Sequence, residues 1–202
     1  MSQSMRQFVV IGHDAPTSPD YSLDDIAGGA GRLDVLCRCV NAAFFLSHAI
    51  RTNVRCRLVL SDMFTLRFEG SELRRLNPDE RSTAALVRNA LEQRENAIGH
   101  MEWETSPGVY LSRKDCEATL ADAVNEGTVI TLHENGQPVV EVDPPSDPVF
   151  VLSDHNDFTD TENELLDDIA TERIRLGPER LHADHAITIA HNHLDRDGRT
   201  QW

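Results

Sequence analysis

Lysine is almost missing from these 202 residues: Lys114 is the only one, and the other 18 basic residues are arginines. A basic excess is missing too, since 34 acidic side chains against 19 basic ones leave a net charge of -15. That sign excludes a uniformly basic nucleic-acid binder. No apolar run approaches the ~20 residues of a membrane span. Met1–Gln7 is polar and has no signal-peptide apolar core, so a cytoplasmic location is expected. Four cysteines do not make a disulfide scaffold, and reduced thiols are expected. Neither GxGxxG nor GxxxxGK[ST] occurs, which leaves the dinucleotide fingerprint and the P-loop unsupported.

What is there is a soluble, globular composition, with 40% hydrophobic and 26% charged residues and apolar clusters along the whole chain. An acid-rich, nearly lysine-free surface suits high salt, because at ~1 M the Debye length is only about 3 Å and carboxylate repulsion is screened. The charge is uneven. Residues 1–101 hold 12 arginines and 12 acids, whereas residues 102–202 hold 7 basic and 22 acidic residues. From Arg32 to Arg94 the local excess is +4, a candidate footprint for an anionic partner.

Patterning predicts alternating strands and helices. Strands are expected at Arg6–Gly12, Arg55–Ser61, Phe64–Phe68, Thr128–His133, Val139–Val142, Val149–Leu152 and Arg173–Leu176. Helices are expected at Leu33–Arg51, from Pro78-Asp79 to Ala97, from an N-cap at Ser112 to Asn125, at Thr159–Ala170 and at Ala183–His193. His13–Gly31 reads as a long loop ending in Gly28-Gly29-Ala30-Gly31, Gly99–Tyr110 as irregular or partly extended, and Glu134-Asn135-Gly136 as a turn. The alternation implies one α/β unit over residues 1–202 with a largely parallel sheet flanked by helices. Ligands of such sheets bind beyond the strand carboxyl ends, here His133–Gly136, Ser153–Asp157 and Gly177–Arg180.

His182-x-x-His185 and His191-x-His193, with Asp184 and Asp195, invite a metal-hydrolase reading. The spacing does not bring all the imidazoles to one helix face and HExxH is absent, so no metal is expected. Ser153–Asp157, Leu176–Leu181 and His185–Thr188, taken together, suit an adenosine whose base is read by main-chain hydrogen bonds.

The stretches VLSDHNDFTDTE (Val151–Glu162) and IRLGPERLHADHAITIAHNHLDR (Ile174–Arg196) resemble the cofactor half of the archaeal TrmY family. These are tRNA (pseudouridine(54)-N(1))-methyltransferases of the SPOUT superfamily. Gly29–Arg51 and Asn77–Leu91 are similar to the same family, so the resemblance spans nearly the whole chain. It implies a SPOUT methyltransferase fold with a C-terminal trefoil knot, a homodimer, and S-adenosylmethionine held by Leu132, Ser153, Leu176, Gly177, Pro178, Glu179, Arg180, Leu181 and Ala186. The family often has Gly at the position of Ser153 and Cys at that of Ala186; both replacements are small.

The reaction so implied methylates N1 of pseudouridine 54 in the tRNA T-loop, giving 1-methylpseudouridine. N1 carries a proton that must leave, and a nearby carboxylate could accept or relay it while an arginine stabilises the anionic base. Arg32-Leu33-Asp34 offers both beside the Gly-rich loop, and resembles the Arg-Pro-Asp motif of ribosomal pseudouridine N1 methyltransferases. Asp34 is therefore expected to handle the proton and Arg32 to orient the base, with Asp62 the second choice for the proton. The expected RNA-facing half is 1–101, with phosphate contacts from Arg38, Arg51, Arg55, Arg57, Arg74 and Arg75; the acidic half, 102–202, contains the cofactor site. The competing reading is a non-catalytic RNA- or cofactor-binding protein on the same fold.

Overall fold

The computed structural model describes residues 4–197. Eight strands form one sheet: β1 (Arg6–Gly12), β2 (Val54–Leu60), β3 (Phe64–Glu69), β4 (Trp103–Ser106), β5 (Val109–Ser112), β6 (Thr128–Pro138), β7 (Pro148–Ser153) and β8 (Glu172–Arg175). Their spatial order is β4-β5-β3-β2-β1-β7-β6-β8. The pairs from β2 through β1, β7 and β6 to β8 are parallel, and the β2–β3, β3–β5 and β4–β5 pairs are antiparallel.

Helices cover both faces. α1 (Leu33–Phe44), α2 (Glu80–Glu92) and α5 (Ala183–Asp195) share one apolar core, and α3 (Cys116–Glu126) and α4 (Asp160–Ile169) share the other. The central strand shows why. In β1, Phe8 and Val10 enter the first core while Val9 and Ile11 enter the second. A strand covered on both sides needs an unbroken apolar run, and RQFVVIG supplies it. Phe8 stacks on Phe150 of the neighbouring β7 at 5.6 Å between ring centroids.

Helix starts follow side-chain capping. Asp79 caps α2 by accepting from the Ser82 N–H, and Thr159 opens α4 with a reciprocal capping box to Glu162. The cap of α3 is Asp115; the expected cap, Ser112, instead ends β5. Gly99–Tyr110, expected to be irregular or partly extended, holds β4 and the start of β5, which form a hairpin with Gly108 at positive φ in its turn. α1 stops at Phe44 rather than Arg51, and Phe45 then bridges to Ile50. Val139–Glu141 is a 3-10 turn, not a strand.

The expected turn at Glu134–Gly136 lies inside β6. Ile174 of β8 pairs with both Leu132 and Gln137 of that one strand, and a Cβ on Gly136 would sit 2.5 Å from the Ile174 carbonyl carbon. The backbones pass so closely there that only glycine fits.

Candidate functional site

The carboxyl ends of β6, β7 and β8 meet at a cleft of about 620 Å³, mouth included. Leu132, Leu152, Phe158, Ile174, Leu181, Ala183 and Ala186 make its apolar lining; Glu134, Ser153, Asp154, Asn156, Asp157, Glu179 and Arg180 supply polar groups. The three expected strand exits all contribute, so the topology converges residues up to 54 positions apart. Of the nine residues expected to hold a cofactor, Leu132, Ser153, Leu176, Gly177, Glu179, Arg180, Leu181 and Ala186 line this cleft, and Pro178 does not. The walls suit a nucleoside sulfonium: aliphatic side chains for a purine, small alanines on α5 that leave space, and carboxylates for hydroxyls and positive charge.

Two main-chain loops shape the walls. Ser153 Oγ donates to the Asn156 carbonyl at 2.5 Å, and Asp154 accepts from the Asn156 N–H at 2.9 Å. Arg180 pairs with Asp157 across the mouth.

Asp154 is nearly inaccessible, its side chain 3% exposed, and one residue accounts for most of its partners. His13, at the exit of β1, gives its backbone N–H to one Asp154 oxygen and holds the other through Nδ1, both at 2.9 Å. Nε2 of the same ring meets Glu162 of α4 at 2.9 Å. The Asp154 hydrogen bond chiefly, then Glu162, raises the imidazole from 6.5 to about 9 against the opposing effect of burial. Burial would raise the Asp154 carboxyl, but the His13 and Asn156 hydrogen bonds win and hold it low. No motif in the sequence marked His13; its only signal was its place directly after a buried strand.

The Arg32–Asp34 pair forms as the spacing suggested. Arg32 stands at the N-cap of α1 with φ of 60°, a left-handed conformation that turns its side chain back along the helix start. Its Nε donates to Asp34 Oδ1 at 3.0 Å and Nη2 to Oδ2 at 3.2 Å; Arg38 Nη1 adds a third bond to Oδ2 at 2.8 Å. Burial opposes ionisation of Asp34, but the two guanidiniums outweigh it and keep the carboxyl below its usual range. Arg38 also lies 3.7 Å from Asp184 on α5, between Ala183 and Ala186 of the cleft wall, and Arg32 feels the charge of Asp154. The pair and the cleft are thus neighbours.

Asp62 has a different task. It occupies the β2–β3 turn at φ of 56° and accepts the Cys116 N–H at 2.7 Å, tying that turn to the first residue of α3. It does not line the cleft.

Most of the arginines proposed for phosphate are spent inside the protein. Arg57 is 4% exposed and donates to Gln7 and Glu126; Arg55 bonds Glu69 and Glu126. Arg51 forms a two-pronged pair with Asp195, and Arg38 serves Asp34. Arg74 and Arg75 remain on the surface. Arg74 donates only to the Ser71 and Leu73 carbonyls, and Arg75 has no acidic partner among the described residues. Arg75 borders a groove between α2 and the β4–β5 hairpin that no carboxylate lines.

Among the described residues no three His, Cys, Asp or Glu side chains form a metal cluster. The four cysteines are buried free thiols, with Cys56 and Cys116 pushed by burial to about 12. No described helix is long and apolar enough to cross a membrane.

Comparison with known proteins agrees with the geometry. A family described as "Putative SAM-dependent RNA methyltransferase" matches residues 5–199. A Haloferax volcanii protein named tRNA (pseudouridine(54)-N(1))-methyltransferase is 69% identical over 198 residues, covering 98% of this chain and 100% of the relative. A Haloarcula marismortui protein of the same name is also 69% identical, over 96% of this chain and 98% of its own. Among solved structures, Archaeoglobus fulgidus Nep1 bound to S-adenosylhomocysteine superposes with a TM-score of 0.62 over 96% of this chain and 98% of that one, at 11% identity.

Proposed function

This chain belongs to the SAM-dependent RNA methyltransferase family, and from that premise we propose that it methylates N1 of pseudouridine 54 in tRNA. The observation that carries the reading is the juxtaposition of the cleft at the β6, β7 and β8 exits with the Arg32–Asp34–Arg38 cluster at the α1–α5 contact. When bound, S-adenosylmethionine supplies an electrophilic methyl group; the cleft residues would hold its purine and its cationic end.

The protein's own residues then manage the base. The methyl group so supplied would go to N1, and the N1 proton must leave. Asp34, kept ionised by two arginines, is a weak base. A weak base suffices because N1–H becomes strongly acidic as the methyl group arrives. Asp34 accepts the N1 hydrogen first as a hydrogen bond and then as a proton, while Arg32 offsets negative charge on the base. Asp62, engaged at α3, is not assigned a part.

Phosphate contacts fall to Arg74 and Arg75 rather than to the internally paired arginines. The RNA approaches the acid-free groove beside α2, with the target base turned out of its stack toward the cleft. The double pairing of Ile174 with β6 supports a C-terminal trefoil knot, in which the β6 extension wraps β8. A homodimer fits exposed Leu46 and Val140 in segments that abut the far end of α5, and a cytoplasmic site of action follows from a tRNA substrate.

The decisive experiment treats pseudouridine-54 tRNA with the purified protein and labelled S-adenosylmethionine and digests the product for mass spectrometry. Appearance of 1-methylpseudouridine at position 54 is expected. Cofactor binding with no methyl transfer would favour a non-catalytic binding protein.

A further inference from the structure

Within the methyl-transfer reading, we propose that His13 is a positioning residue: its ring clamps the Ser153–Asp157 wall of the cofactor cleft to β1 and α4. The geometry is that of a two-sided clamp. Nδ1 holds Asp154, a cleft-lining residue, and Nε2 on the opposite edge of the ring holds Glu162, each at 2.9 Å. Without a bridging donor, two partly buried carboxylates would face each other, so loss of the ring leaves repulsion and removes the link between the cleft wall and α4, although both carboxylates keep their backbone N–H donors.

The clamp also reaches the catalytic side. The next residue, Asp14, has its carbonyl pressed against Gly31, which sits at φ of +55° with no room for a side chain and immediately precedes Arg32. Asp14 additionally receives the Asn156 side-chain amide at 3.0 Å, and His155 lies 3.5 Å from Asp154. One short segment, Gly12–Asp14, therefore sets the cleft wall on one side and the start of α1 on the other. His13 itself does not line the cleft.

Because the two ring nitrogens do different work, they can be separated. In His13→Asn the amide nitrogen stands near the place of Nδ1 and can still serve Asp154; in His13→Gln it stands near the place of Nε2 and serves Glu162. Binding of S-adenosylhomocysteine is measured by calorimetry, and the apparent KM for S-adenosylmethionine by tRNA methylation. His13→Ala should weaken binding about tenfold or more and raise KM in parallel. His13→Asn should recover to within about threefold of the native protein, and His13→Gln should stay near the alanine value. If His13→Ala does not fold, the Asn and Gln variants decide alone. Native-like binding by His13→Ala, or equal affinities for Asn and Gln, would overturn the clamp. Failure of the unaltered protein to bind S-adenosylhomocysteine would instead remove the functional reading, and the clamp with it.

Discussion

Asp34 and His191 show how one residue's surroundings set its use. Three hydrogen bonds from Arg32 and Arg38 leave Asp34 ionised and fixed. Asp34→Asn keeps the shape but loses the proton acceptor, so turnover should fall by about 10²-fold or more while S-adenosylhomocysteine affinity changes little. A rate assay beside calorimetry checks this, and near-native turnover would remove Asp34 from the mechanism.

His191 is buried on α5, with Nε2 bonded to the Ala43 carbonyl at 2.9 Å and an edge contact to Phe8 at 4.9 Å. Burial, aided by the nearby Arg51 charge, lowers it from 6.5 to about 4. The unfolded chain thus takes up a proton that the folded one refuses. Its contribution is present above pH 6.5 and is lost as pH falls toward about 4, amounting to roughly 3 kcal/mol. His13 has the opposite sign: its folded value near 9 gives stability that is present below 6.5 and lost as pH rises through 9. Urea unfolding across pH should therefore show a dome, and His191→Gln should flatten its acid limb.

At the scale of elements, β6 and β8 carry the least forgiving contact. The sequence placed both strands, but Glu134-Asn135-Gly136 looked like an ordinary turn because glycine after asparagine usually is one. In the fold, Gly136 is where one backbone crosses another. Gly136→Ala should cost about 2–3 kcal/mol through overpacking and weaken cofactor binding, since Leu132 and Ile174 line the cleft. Thermal melting with and without S-adenosylhomocysteine reads both effects. The β4–β5 hairpin was missed for a related reason. Its strands have four residues each, too short for a period to register, and become strands because β5 pairs along β3 and β4 along β5.

For the whole molecule, charge is the governing quantity. A net charge of -15 repels both itself and RNA. Raising KCl to about 2–3 M should increase the melting temperature, because screening removes the self-repulsion. Equal stability in dilute buffer would end the high-salt reading. Exchanging both Arg74 and Arg75 for glutamate should weaken tRNA binding about tenfold while leaving S-adenosylhomocysteine affinity unchanged. A similar exchange at Arg57 should damage folding instead, since that guanidinium is buried against Gln7 and Glu126.

The sequence by itself determined the strand–helix alternation, the near absence of lysine, the charge division, the cleft-forming strand exits and the Arg32–Asp34 pair. These are local properties: periodicity, capping and a two-residue spacing are fixed by neighbours in the chain. Only the tertiary structure decided which arginines stay on the surface, since Arg55 and Arg57 look no different from Arg74 and Arg75 until Glu69 and Glu126 fold against them. The His13 clamp was equally hidden, because its partners lie 141 and 149 residues away. Burial and long-range pairing depend on what the rest of the chain places opposite a residue, and no window along the sequence contains that.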